Sequence, residues 1–278
     1  MSTDLGLEYT RSVARGLQVL GCFSERRPVM TISTVATECG LTRATARRIL
    51  HTLVRLGFVS ADGDYFRLTP RVLSIGYSYL SSLALPELAH PRMEQLVAAV
   101  HESSSLAVLD GCEIVYVARV ATGRMSHSLT VGTRLPAFAT ALGRALLACL
   151  TEDELPASLP EEPFPRFTDR TIGNGASLRD ALAGVRSRGF AINDGELEEG
   201  QRSIAVPIRG ARGRAEAALN VAVDAGRVSV DDLRTGILPE LREAAAAIEN
   251  DLRHHPVGRS RGGDAAAPDV LYRVAAAR

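Results

Sequence analysis

The chain has 278 residues, of which 46% are hydrophobic and 23% charged, and its 32 basic and 32 acidic side chains give a formal net charge of zero. This length predicts two domains. No run of 18 apolar residues occurs, which predicts no membrane span, and the N-terminus lacks the basic and apolar regions of a signal peptide, which predicts a cytoplasmic protein. The four cysteines form no CxxC pair and are expected to be small buried residues.

The charge is unevenly distributed along the chain. Residues 1–80 contain 10 arginines and 6 acids, whereas residues 81–251 contain 17 arginines and 24 acids. A basic N-terminal part on an acidic body is typical of a protein that contacts nucleic acid with one end only. The tail over residues 254–278 is rich in Gly, Ala and Arg and is expected to be disordered.

A helix-turn-helix is predicted near the N-terminus. Residues 11–23 supply a first helix, whose apolar side chains at helical spacing are Val13, Leu17, Leu20 and Phe23. Residues 31–40 give a short second helix that stops at Gly40, and residues 41–58 give a third. The tight turn between the last two helices suits the third for insertion into a major groove.

The third helix is expected to bury one side and to present cations on the other. At 100° per residue, one arc of about 120° holds Ala46, Ile49, Leu50, Leu53 and Leu56. The opposite arc holds Arg47, Arg48, His51 and Arg55, with Arg43 at its edge. A merely solvated helix face is the alternative, but such a face normally mixes charges of both signs, and no acid lies between Glu38 and Asp62.

Residues 57–70 predict a β-hairpin that turns at Asp62-Gly63, which completes a winged helix-turn-helix. The side chains expected in the major groove are Thr42, Arg43, Thr45, Arg47 and Arg48. Arg55 and Arg67 are expected at phosphates, and Thr31, Ser33 and Thr34 at the DNA backbone, with Thr31 or Ser33 also capping the second helix. His51, on the cationic arc, is also expected to contact DNA. A winged helix that serves only protein contacts is the alternative.

An α+β domain on a mainly antiparallel sheet is predicted after the winged helix. The expected division is an extension at 1–9, the DNA-binding domain at 10–72, a linker helix at 73–88, this second domain at 89–253 and the tail. The elements expected within the second domain are helices at 91–102, 140–150, 177–189 and 229–252, and strands at 105–110, 113–120, 126–132, 190–194, 202–210 and 217–225. The apolar face of the linker helix suits a dimer contact.

The second domain carries no recognisable catalytic motif, and its histidines lack metal-ligand spacing, so no enzyme activity, metal or other cofactor is expected. The acidic run Glu196, Glu198 and Glu199 is expected to be solvated.

Three arginines, Arg119, Arg124 and Arg134, stand out in this acidic domain as candidates for bidentate capture of a carboxylate ligand. The start of the helix near residue 140 offers free N–H groups, and Ser203 and Asn220 offer further hydrogen bonds. The alternative is that these arginines pair on the surface with Asp110, Glu113 or Glu216.

Four longer motifs extend across both parts of the chain. They are TISTVATECGLTRATARRILHTLVRLGFV and YFRLTPRVLSIG in the first part, and VGTRLPAFATALGRALLA and GFAINDGELEEGQRSIAVPI in the second. Together they resemble the motifs of the IclR family of bacterial transcriptional regulators. The resemblance covers roughly residues 10–253 and implies a winged helix-turn-helix, a linker helix and a GAF-like effector domain, in dimers that often pair into tetramers. The family signature is matched at Gly189, Glu196, Ser203, Ile204, Ala205 and Ile208, whereas Asn193 and Arg209-Gly210 depart from it.

The same resemblance implies effector contacts at Ala141, Leu142, Asn193, Ser203, Asn220 and Ala222. The stretches YTRSVARGLQVLGCFSERR, GYSYLSS and VGTRLPAF are similar to regulators of the β-ketoadipate pathway, which implies an aromatic acid or β-ketoadipate as effector. The sequence therefore predicts a ligand-responsive regulator that binds near-palindromic double-stranded DNA as a dimer, with RNA polymerase as a further partner if it activates. The alternatives are an IclR-type regulator of another carboxylate pathway and an enzyme with an accessory winged helix.

Overall fold

The computed structural model describes residues 9–24, 26–76, 84–122, 129–210 and 213–254. The described residues up to 76 form one compact unit, and those from 84 onward form a second. Residues 73–76 are helical, but most of the remaining predicted linker helix lies outside the described residues. No helix in the described ranges is long and apolar enough to cross a membrane.

The first unit is a winged helix-turn-helix. Its elements are α1 (Arg11–Gly21), β1 (Val29–Thr31), α2 (Ile32–Glu38), α3 (Arg43–Arg55), β2 (Val59–Asp62) and β3 (Tyr65–Leu68). The sheet is antiparallel with strand order β1-β3-β2. The short strand β1 was not predicted from the sequence.

Local hydrogen bonds explain where these helices begin and end. The Thr31 hydroxyl accepts from the Thr34 N–H at 3.2 Å and caps α2, and the Thr42 hydroxyl caps α3 in the same way. Gly40 has a φ of 61°, a conformation that favours glycine and ends α2 as predicted. The hairpin loop consists of Gly63-Asp64, one residue later than expected, because Asp62 still pairs with a strand residue.

The apolar stripe predicted along α1 is only partly buried. Its members Val13 and Leu17 are 59% and 60% exposed. The helix instead packs through Val19, Leu20 and Phe23 near its C-terminal end. The predicted apolar stripe is therefore divided between the core and an exposed apolar surface.

The second unit is an α+β domain on a six-stranded sheet. Its elements are α4 (Ala84–Val100), β4 (Ser103–Asp110), β5 (Glu113–Val120), β6 (Arg134–Pro136), α5 (Ala141–Leu147), α6 (Gly175–Arg188), β7 (Ala191–Asp194), β8 (Gln201–Arg209), β9 (Ala215–Asp224), α7 (Val230–Asp232) and α8 (Leu238–His254), with a π-helical turn at Leu233–Ile237. The strand order is β6-β5-β4-β9-β8-β7, and all neighbouring strands are antiparallel. This confirms the predicted fold class.

Several boundaries differ from those predicted. Helix α4 continues through Pro91 instead of beginning there, and α5 ends three residues short of the expected position. Residues 129–132 form no strand, and the edge strand is β6 instead. Cys112, expected to be buried, is exposed in the turn between β4 and β5.

Successive strand residues point to opposite faces of the sheet, so both faces carry apolar side chains that must be buried. One helix layer covers each face. Helices α4 and α8 pack together and cover one face, and α5 covers the other. Small side chains under α5, such as Ala205 and Ala218, let the helix approach closely. Gly143 is required there, since an added Cβ would lie 2.1 Å from the Ala137 carbonyl oxygen.

Candidate DNA-binding surface and effector cavity

Helix α3 has the two distinct sides that the sequence predicted. Ala46, Leu50 and Leu53 are buried in the core of the first unit. The cationic residues Arg43, Arg47, Arg48, His51 and Arg55 are all exposed. Leu56, expected on the buried arc, is exposed because it follows the last turn of the helix.

The arginines of α3 carry uncompensated positive charge. None of the four forms an ion pair with any described residue. An anion that binds them displaces no existing carboxylate, so this helix face suits the phosphates and base edges of DNA. The ring of His51 lies edge-on to Phe66 of the wing, with centroids 6.2 Å apart.

The remaining predicted DNA contacts lie at helix starts and on the wing. Ser33 and Thr34 are exposed at the start of α2, next to the half-buried Thr31. The half-buried Thr45 lies in the first turn of α3, and its hydroxyl accepts from that of Thr42 at 2.9 Å. Arg67 is exposed on β3, 3.7 Å from Asp62.

A cavity of about 100 Å³ lies between α5 and the sheet of the second unit. Its walls include every residue for which the family resemblance implied an effector contact: Ala141, Leu142, Asn193, Ser203, Asn220 and Ala222. The other lining residues are Tyr116, Leu129, Leu135, Ala139, Thr140, Leu197, Glu198, Gln201 and Arg202. The wall is divided about evenly between apolar and polar residues, and polar groups at fixed positions in a cavity can orient a small molecule.

Two polar groups of the cavity are available to a ligand. The Asn193 side-chain amide donates to the Ala139 carbonyl at 2.6 Å, and the Asn220 side-chain oxygen accepts from the Ser105 N–H at 2.9 Å. The Ser203 hydroxyl and the Asn220 side-chain NH₂ form no hydrogen bond with any residue that the structure describes. A ligand with hydrogen-bonding groups would therefore satisfy both.

Family models match both units of the chain. The IclR helix-turn-helix domain matches residues 12–63, and the bacterial transcriptional regulator IclR C-terminal domain matches residues 77–250. The chain belongs to the IclR family. It is a DNA-binding transcriptional regulator and not an enzyme, as the sequence predicted.

Named relatives of this IclR regulator share most of its length. The Pca regulon regulatory protein of Pseudomonas putida is 40% identical over 253 residues, which cover 90% of this chain and 86% of that protein. The p-hydroxybenzoate hydroxylase transcriptional activator of Acinetobacter baylyi is 34% identical, with coverage of 87% and 92%. An IclR homologue from Microbacterium hydrocarbonoxydans, solved in complex with 4-hydroxybenzoate, has 30% identity and a TM-score of 0.75, with coverage of 87% and 99%.

The structure distinguishes Arg134 from Arg119, two of the three arginines that the sequence grouped as carboxylate ligands. In this IclR regulator Leu135 lines the cavity, so its strand neighbour Arg134 points away from the cavity. The Arg134 guanidinium forms ion pairs with Glu113 and Asp110, each at 2.7 Å. The predicted role of Arg134 is therefore corrected to the surface pairing that was the alternative. Arg124 lies outside the described residues.

Arg119 is the remaining arginine of the predicted group. It is not one of the lining residues, but it contacts Ser105, the strand partner of the lining residue Asn220. Its guanidinium donates to the Ser105 hydroxyl at 3.1 Å, and Ser105 pairs in register with both Arg119 and Asn220. No carboxylate among the described residues forms an ion pair with Arg119. Most of its N–H donors are therefore free for a ligand.

Sequence reasoning missed Tyr116, which lines the cavity beside Arg119. A β-bulge between Leu106 and Ala107 shifts the register and brings Tyr116 to the same face as Arg119, although the two are three residues apart. Burial raises the pKa of Tyr116, and the Arg119 charge and the Ser105 hydroxyl partly oppose this shift. The phenol consequently remains a hydrogen-bond donor at neutral pH.

Two further arginines near the cavity are already engaged. Arg202 lines it, but its guanidinium binds Asp194 at 2.6 Å and the carbonyl oxygens of Ala225 and Val228. Arg144, buried in α5, pairs with Glu196, so the expectation that Glu196 is solvated was wrong. No group of three or more potential metal ligands occurs within the described ranges.

Proposed function

We propose that this regulator acts in the cytoplasm and controls genes for the breakdown of an aromatic acid, such as 4-hydroxybenzoate or protocatechuate, in response to a small carboxylate bound under α5. The convergence of side chains from α5, β7, β8 and β9 around one cavity carries the proposal. The named relatives and the homologue solved with 4-hydroxybenzoate support the ligand class.

The effector carboxylate binds at the Arg119 end of the cavity. Arg119 has free donors in a planar fork that matches a carboxylate, and the Tyr116 hydroxyl and the Asn220 amide lie at the same end of the sheet face. The aromatic ring then lies against the apolar wall that Leu135 and Leu142 help to form.

Thermal unfolding and calorimetry with 4-hydroxybenzoate, protocatechuate, β-ketoadipate and glyoxylate test this proposal. A ligand at a hundredfold excess over its dissociation constant stabilises the folded protein by about 2.7 kcal/mol. We expect a selective rise in melting temperature with one pathway acid, which Arg119→Gln removes and Arg134→Gln retains. Arg134 is the matched control, since it pairs outside the cavity. No rise with any acid would refute the ligand class and leave DNA binding untouched.

The DNA contact runs through α3 and the wing. Arg43 or Arg47 near the start of α3 binds guanine, and Arg55 and Arg67 bind phosphates. The hydroxyls of Thr31, Ser33, Thr34, Thr42 and Thr45 supply further hydrogen bonds to the DNA, and Arg48 and His51 add positive charge on the same helix.

A second copy of the chain covers the exposed apolar surface of the first unit. Val13, Leu17, Leu56 and Ile75 line an open groove there, and each is more than two-fifths exposed. A contiguous apolar patch of this kind marks an interaction site. A dimer built on it predicts half-sites about one helical turn apart in a near-palindromic operator.

Analytical ultracentrifugation of Leu17→Glu tests this dimer. We expect the variant to sediment as a smaller species than the wild type and to lose operator affinity. Val131→Glu places the same charge at an exposed apolar residue of the second unit and should change neither. An unchanged oligomer in Leu17→Glu would contradict the proposal.

A further inference from the structure

A buried ion pair joins two walls of the effector cavity. Arg144 of α5 and Glu196 of the loop at 195–200 have side chains that are only 5% and 13% exposed. Both terminal nitrogens of the guanidinium donate to the two carboxylate oxygens, and the Arg144 Nε donates to the Phe138 carbonyl at 2.8 Å. The pair therefore fixes both distance and orientation between helix and loop.

The loop is also held from its other side. The Thr168 hydroxyl donates to the Gly195 carbonyl at 2.7 Å, and the Thr171 hydroxyl donates to the Glu196 carbonyl at 2.6 Å. The Glu196 N–H donates to the Asn193 side-chain oxygen at 3.4 Å. Both the backbone and the side chain of Glu196 are thus fixed.

Neither member of the pair lines the cavity, but their neighbours do. Leu197 and Glu198 follow directly after Glu196, and Leu142 lies two residues before Arg144. A contribution to stability alone is a poor explanation for such a pair, because the cost of desolvating two charges roughly offsets their attraction. Variants with apolar replacements of similar volume are often equally stable or more stable.

We infer that Arg144 and Glu196 are positioning residues of the effector site, which hold α5 and the 195–200 loop at the separation that fits the cavity to its ligand. This inference rests on the proposed function of the cavity. It predicts that the pair controls ligand affinity and the mobility of the loop more than it controls the stability of the domain.

The double variant Arg144→Met/Glu196→Leu tests the inference, because it replaces the charges with apolar side chains of similar length. We expect a melting temperature near that of the wild type without ligand. We expect the dissociation constant for 4-hydroxybenzoate to rise by about 10- to 100-fold, the range seen when residues that orient the ligands of a metal ion are replaced. Hydrogen exchange should accelerate at residues 195–200 and remain unchanged in α8.

The matched control is Arg186→Met/Glu152→Leu. The Arg186 guanidinium donates to the Glu152 carboxylate at 3.1 Å and to the Ala148 carbonyl, just after the C-terminal end of α5, at 2.9 Å. Arg186 therefore makes the same kinds of contact as Arg144, but neither it nor Glu152 lines the cavity. This variant should bind 4-hydroxybenzoate like the wild type.

The outcomes separate this inference from the proposed function. Wild-type affinity with unchanged exchange in the loop overturns the inference, as does a lowered melting temperature with no change in affinity. If the wild type binds none of the acids, the proposed function fails, and exchange at 195–200, which needs no ligand, still decides whether the pair fixes the loop. If the double variant does not fold, the single variant Arg144→Lys replaces it as the test, because lysine keeps the charge but loses the bidentate geometry. Hydrogen exchange at residues 195–200 must then be faster in Arg144→Lys, and unchanged exchange overturns the inference.

Discussion

Replacing Arg47 tests where the regulator reads its operator. Arg47 is exposed on α3 and has no ion pair within the described residues, so Arg47→Ala should change the free energy of unfolding by no more than about 0.5 kcal/mol. If its guanidinium binds a guanine with two hydrogen bonds, its loss costs about 1–3 kcal/mol at each half-site. That loss applies only to sequences that carry the guanine.

Replacing Arg67 should have a different signature. The Arg67 side chain is 53% exposed and lies 3.7 Å from Asp62, which is 85% exposed, and such a surface pair contributes at most about 1 kcal/mol to stability. A lost phosphate contact weakens all sequences alike and reduces the slope of log affinity against log salt by about 0.9. In a dimer that contacts two half-sites, Arg67→Gln should therefore reduce the slope by about 1.8.

Fluorescence anisotropy with an operator duplex and a scrambled duplex, at several salt concentrations, distinguishes the two effects. Arg234→Ala is the control, because Arg234 is a half-exposed arginine of the second unit, 3.4 Å from Asp231. If Arg47→Ala weakens both duplexes equally, Arg47 contacts phosphates and not bases. If Arg47→Ala and Arg67→Gln both bind like the wild type, the proposed interface is wrong.

Three further predictions concern stability and thiol chemistry. Leu50→Ala empties a fully buried position in the first unit and should cost about 2–5 kcal/mol of unfolding free energy in urea titrations. Cys112 is the exposed cysteine, whereas burial raises the pKa of Cys22 to about 12, so native protein at pH 8 should show one fast thiol toward Ellman's reagent, and Cys112→Ser should abolish it. Hydrogen bonds from Ser229 lower the pKa of Asp232, so Ser229→Ala should raise that pKa in NMR titrations and lower the melting temperature.

Elements with strong local signals were predictable from the sequence. The spacing of Ala46, Leu50 and Leu53 fixes the buried side of α3, and Gly40 ends α2 in the left-handed conformation that was expected. The last predicted helix was expected to begin at residue 229, and Ser229 forms a capping box there because both of its hydrogen bonds are local.

Elements that depend on distant partners were not predictable. Strands β1 and β6 have three residues each, too few for alternation to appear, and each exists because it pairs with a longer strand. Likewise, the division of the α1 stripe depends on where the helix rests on the core. Val13 and Val19 are equally apolar, and only packing distinguishes them.

The arginines of the second unit show why a site is harder to predict than a fold. Residue type alone cannot distinguish a free guanidinium from a paired one, and Arg134 and Arg144 both have carboxylate partners that lie 21 or more residues away in sequence. Because neighbouring strand residues point to opposite faces and Leu135 lines the cavity, Arg134 cannot line it. Tyr116 does line the cavity, because of a register shift that the sequence does not reveal. Of the two arginines of this group that the structure describes, Arg119 is the one without a carboxylate partner. The effect of Arg119→Gln on ligand binding therefore decides whether charge recognition in this regulator depends on one side chain.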